Sequence, residues 1–153
     1  MRITARSLLL MICITSNSLF GLSKEHELYL LHCSGCHGLK GEGVVGVSPQ
    51  INRIIGYFLA NREGRKYIIK LPGIALAPLS DEQLADLLNW VVSQFSSPSF
   101  SFQKFTKEEI SKERKEPLWD IEKERKELLK RLPGNRVLSR SWEQFISSAS
   151  PKQ

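Results

Sequence analysis

"HCSGCHGLKGEG", residues 32–43, decides how this chain is read. Cys33 and Cys36 stand three apart, and His37 follows with no gap. Three chemistries use such a trio: a zinc site, thiol–disulfide exchange, and covalent attachment of haem. A structural zinc takes four ligands. The motif offers three at most, two of them adjacent, and the only other histidines are His26 and His32. No second cysteine pair exists. A redox dithiol normally opens a helix that follows a strand, where the helix dipole favours the thiolate. The segment before Cys33 has helical spacing instead. Cys-x-x-Cys-His is the attachment signature of haem c. It supplies two thiols spaced for the two vinyl groups of one porphyrin, and an imidazole that reaches the iron from the same side. On this reading Cys33 and Cys36 form thioethers, and His37 is the proximal ligand of one covalent haem.

Upstream, Arg2 and Arg6 precede an apolar run, "SLLLMICI" (7–14), and then "TSNSLFGLS". The run is too short for an ordinary membrane-spanning helix and has the pattern of a secretory signal. Residues 1–23 are therefore expected to be a signal peptide, cleaved near Gly21 or Ser23, which points to a bacterial periplasm. Retained, the same segment would act as a membrane anchor. Bulky Met11 and Ile12 before Cys13 argue against a lipoprotein. Without the signal, Cys33 and Cys36 are the only cysteines, so the chain has no framework disulfide.

Downstream, glycines 38, 41, 43 and 46 mark a loop that ends near Pro49. Residues 51–70 read as two helical pieces broken near 61–64. Ser80 opens the best-signalled helix: Gln83 completes a capping box, and Asp81 and Glu82 sit on the positive end of the dipole. Leu84, Leu87, Leu88, Val91 and Val92 recur at helical spacing. Residues 96–105 have linker composition. The stretch 106–132 is charged and helical, split by Pro117, and the last twenty residues are weakly patterned. Residues 24–103 hold seven basic and seven acidic side chains; residues 104–153 hold 13 and nine. The basic surplus is thus interleaved with glutamates along a helix, which suits a solvated face better than a nucleic-acid surface.

Residues 24–95 resemble a small class I cytochrome c. The likeness is carried by a short helix ending in "CSGCHG", a glycine-rich loop, "SPQIN", a middle helical region and a last helix opening "LSDEQLADLLNWV". It implies an all-α fold: a class I cytochrome c-like core over 24–95, a linker over 96–105, and a charged helical extension over 106–153. It further implies that the Pro49 carbonyl accepts the N–H of the proximal histidine. Trp90 is then the aromatic where the first and last helices cross, against Leu28 or Tyr29. The extension falls outside the resemblance. It could wrap the core, dock a partner, or form a partly ordered arm.

Class I cytochromes c usually complete the iron with a methionine just before the last helix. Here that loop reads "KLPGIALAPLSDEQ", and no methionine follows Met11. Lys70 and Tyr67 flank the loop and are the first substitutes to consider, followed by Asn52, Asn61 and His26; His32 adjoins Cys33, which argues against it as a distal ligand to the same haem. Otherwise the sixth position is open. Losing a thioether ligand lowers the potential, and an open iron admits small ligands. The resemblance implies electron transfer between redox proteins, such as a periplasmic dehydrogenase and an oxidase, with no catalysis of its own. The alternatives are a sensor of small gases, a weak peroxidase, and an assembly role carried by the extension.

Overall fold

Ser80 caps the Asp81–Phe95 helix as its sequence requires: its hydroxyl accepts from the Gln83 N–H at 3.2 Å, and the Gln83 side chain answers the Ser80 N–H at 3.0 Å. The computed structural model describes residues 21–149, except Gly46, Pro133 and the side chains of Asn135, Ser148 and Ala149. Residues 1–20 of the expected signal segment lie outside it. In chain order the described helices are α1 (Lys24–His32), α2 (Ser34–His37), α3 (Ile55–Phe58), α4 (Arg62–Lys70), α5 (Pro72–Ala75), α6 (Asp81–Phe95), α7 (Lys107–Glu113), α8 (Ile121–Leu129) and α9 (Asn135–Ala149). The described residues form no strand, only an isolated bridge between Val44 and Ser48. The fold is all-α.

The central helix α6 is apolar on two faces. Leu87 and Val91 meet Tyr29 of α1, with Trp90 and Phe95 against the same cluster. Trp90 lies 5.5 Å from Tyr29 and 5.1 Å from His26, ring to ring. The expected crossing aromatic is therefore on Tyr29. The other face, Leu84, Ala85, Leu88 and Val92, enters the main core. That core also takes Ile54, Ile55 and Phe58 from around α3, and Tyr67, Ile68 and Ile69 from α4. Asn61 caps α4 by accepting from the Gly64 N–H at 2.8 Å. A Cβ at residue 64 would strike the Phe58 carbonyl, so this close turn needs glycine.

The extension is part of that same core. Ile110 of α7, Leu128 and Leu129 of α8, Leu132, and Leu138 of α9 are all buried in it. The stretch 96–105, read as a linker, carries no helix, but Phe105 is buried and Phe100 and Phe102 pack alongside. Polar side chains of the core fasten it. Asn89 of α6 holds the Phe105 backbone at both groups, accepting from its N–H at 2.7 Å and donating to its carbonyl at 3.0 Å. Arg65 of α4 forks onto Glu109 at 2.6 and 3.1 Å and donates to the Gln103 carbonyl at 2.6 Å. Its guanidinium also lies 4.2 Å above the Phe105 ring. A free docking arm is thus not what residues 104–149 form. Their apolar positions are spaced too sparsely to announce a core in sequence, yet Ile110, Leu128, Leu129, Leu132 and Leu138 all enter the main cluster, while Trp119 and Val137 stay exposed.

Candidate functional site

The Cys-x-x-Cys-His segment sits where α1 ends. The Cys33 N–H donates to the Tyr29 carbonyl at 2.9 Å, closing α1, and the His37 N–H donates to the Cys33 carbonyl at 2.9 Å, closing the single turn of α2. Both thiols are free; Cys33 is half-buried and Cys36 exposed. Burial pushes the Cys33 thiol up to about 11, with the neighbouring Cys36 adding to the rise. Its place at the negative end of α1 also disfavours a thiolate. A dithiol oxidoreductase needs the opposite, a stabilised thiolate. For the zinc reading, no group of three or more His, Cys, Asp or Glu suited to a metal ion occurs among the described residues.

The loop after the motif folds back onto His37. Tyr29 donates its hydroxyl to the Gly38 carbonyl at 2.6 Å, tying loop to helix. Gly43 donates to the His37 carbonyl at 2.8 Å, while Val44 and Ser48 pair across the loop. Gly43 has φ 79°, and a Cβ there would lie 2.7 Å from the Ser48 carbonyl and 2.8 Å from the Pro49 carbonyl carbon. This close crossing brings Pro49 to the imidazole: its carbonyl is 3.2 Å from His37 Nδ1. A carbonyl can only accept, so Nδ1 carries the proton and Nε2 keeps the lone pair. Burial holds the imidazole below its usual 6.5, against the opposing pull of the Pro49 bond, so the ring is neutral at pH 7. The buried Ser48 hydroxyl lies 2.9 Å from Nδ1 and 3.2 Å from Nε2. Sequence reasoning passed over Ser48; only its adjacency to Pro49 could have drawn notice. Gly43→Ala is expected to cost about 1–3 kcal/mol of stability through left-handed strain. It should also part Pro49 from His37. Thermal melts and the slowly exchanging Nδ1 proton in NMR spectra check this; an unchanged melt with that proton retained would show that the crossing is not needed.

The side chains considered as sixth ligands make the following contacts among the described residues. Lys70 pairs with Glu116 at 3.0 Å. Tyr67 stacks on Phe58 at 5.7 Å inside the core, and burial raises its phenol above the ordinary value. Asn61 caps α4, Asn52 donates to the Lys40 carbonyl at 3.1 Å, and His26 lies on Trp90. His32 is exposed at the end of α1. The described hydrogen bonds join none of them to the His37 ring, whose partners are Ser48 and Pro49.

The chain is similar to cytochrome c-552 of Thermus thermophilus, at 30% identity over 106 residues that span 56% of this chain and 81% of that protein. Against a second cytochrome c-552 from a named strain of the same species the identity is again 30%, over 72% of the relative. The chain belongs to the c-type cytochromes. No family model matches the sequence. No solved structure matches it either. The donor set of this cytochrome fits a porphyrin: two free thiols a single turn apart, and an imidazole whose Nδ1 faces the Pro49 carbonyl and whose Nε2, 3.2 Å from the Ser48 hydroxyl, carries the lone pair that would meet a metal. Apolar Leu39, Val45 and Val47, on the loop beside the motif, are exposed. They offer the surface that a large apolar ring would cover. No helix among the described residues is long and apolar enough to cross a membrane.

Proposed function

We propose that the chain carries one haem c, linked through Cys33 and Cys36 and bound at iron by His37 Nε2, and passes electrons between redox proteins in a bacterial periplasm. The observation that carries this is the placement of His37 Nδ1 at 3.2 Å from the Pro49 carbonyl, within a turn whose two thiols are unpaired. Bound haem supplies a one-electron couple at its iron. The protein's part is to hold and bury it. Pro49 orients the imidazole and makes it a stronger donor. The Gly38 and Gly43 turns keep Pro49 in reach. Export rests on the pattern of residues 1–23, and a retained segment would add a membrane anchor. Partners are a periplasmic dehydrogenase or oxidase, with no role for nucleic acid.

A second reading has its own observation. Residues 12–153 hold no methionine, Ile74, Ala75 and Leu76 cannot ligate, and the side chains considered as substitutes have other contacts or face solvent. An open sixth position suits a small-gas sensor or a weak peroxidase. The test is the spectrum of the reduced, purified protein with and without carbon monoxide. A haem c spectrum unmoved by the gas supports a closed carrier. A rapid change supports the open site, and a chain without a haem spectrum rejects both.

A further inference from the structure

Residues 114–118 of the extension grip the segment 70–81 at both ends. The Arg114 side chain reaches across it, donating to three backbone carbonyls: Ala75 at 2.9 Å, Ala77 at 2.7 Å and Leu79 at 2.9 Å. It also meets the Asp81 carboxylate at 3.1 Å. These carbonyls follow the single turn of α5, where a helix has run out of its own N–H donors. A guanidinium is suited to this task, because it offers five donors in a rigid plane and stays charged. At the other end the Leu118 N–H donates to the Lys70 carbonyl at 2.8 Å, and Glu116 pairs with Lys70 Nζ. The gripped segment and the site share a neighbour: Leu79 and Cys33 both pack against the cluster of Tyr29, Leu87 and Val91. Within the Arg114 grip, between Ala75 and Ala77, the Leu76 side chain is exposed.

We propose that Arg114 is a positioning residue for the sixth side of the iron: the extension straps the 71–80 loop in one place and so limits how small neutral ligands reach the metal. The assignment rests on the haem reading above. Without Arg114 the Ala75 and Leu79 carbonyls lose their donor and Ala77 keeps only the Leu79 N–H at 2.8 Å, so the loop opens locally while α6 and α7 persist.

The test uses the full-length haem protein, reduced, with carbon monoxide as probe. Arg114→Gln is compared with Arg65→Gln, which loosens the same extension but touches no atom of the loop. Arg114→Gln should speed association of the gas by about tenfold or more and accelerate amide exchange across 71–80. Arg65→Gln should leave association within a factor of about two of the parent, although its melting temperature falls. Unchanged association in Arg114→Gln, or an equal rise in both variants, overturns the strap while leaving the haem reading intact. A parent chain without haem overturns that reading first, and this one with it. Should Arg114→Gln fail to accumulate, the parent protein supplies the measurement. Amides of Leu76, Ala77 and Leu79 that exchange as slowly as those of α7 support the strap. Free exchange there beside a protected α7 overturns it.

Discussion

Cys33→Ala combined with Cys36→Ala is expected to yield a colourless chain whose mass is that of its amino acids alone, while the parent gains the mass of one haem. The loss should be complete, because non-covalent contacts would have to replace both thioethers. The cause lies in local structure. Cys33 closes α1 and Cys36 lies within the following turn, so the two sulfurs are presented by a hydrogen-bonded unit and not by a loose loop. Cys33, its thiol pushed up to about 11 by burial, is a protonated thiol at neutral pH. His37→Ala separates attachment from ligation. It should keep the covalent mass and change the spectrum, because the thioethers survive and the Nε2 ligand does not. Mass spectrometry and visible absorption of the purified variants decide both points. A double variant that stays coloured would place attachment elsewhere.

Removing residues 104–153 is expected to prevent folding, not merely to remove a docking arm. Six apolar side chains from the described residues of this part are buried: Phe105, Ile110, Leu128, Leu129, Leu132 and Leu138. Each contributes about 1.5–3 kcal/mol by burial, and together they are comparable to the whole stability of a typical domain, about 5–15 kcal/mol. Ile110→Ala is the point version. Ile110 has no solvent exposure and packs where α7 meets α6 and α4. Its truncation should cost about 2–5 kcal/mol, transfer and cavity together. Urea denaturation followed by circular dichroism reads both variants. A truncated chain that melts like the parent would show an independent core over 24–103 and restore the view of the extension as a separate arm.

Much of the frame is legible because its causes are local. Ser80 and Gln83 are three residues apart, so a capping box is visible without knowing what surrounds it. The same holds for the turn that carries Cys33, Cys36 and His37, and for the apolar spacing of α6. The helix α9 is weakly patterned in sequence because it is mostly polar; among the described residues Leu138 is buried in the main core and Trp142 packs against it. What the Tyr67 ring meets was not legible either: it stacks on Phe58, with Arg125 of the extension near it, through packing between segments far apart in sequence.

From sequence alone come the attachment motif, the absence of methionine after Met11, the order of the main helices and the caps that start them, since each depends on residues within a turn or two of one another. The tertiary structure decided what those residues meet. It set Pro49 and Ser48 on His37, paired Lys70 with Glu116, and laid Arg114 across the 75–79 carbonyls. Arg65, Asn89 and Arg114 look like ordinary surface polar residues in the string of letters. Their partners lie 16 to 44 positions away, and a hydrogen bond is specified by distance and angle in space, which spacing along the chain does not encode.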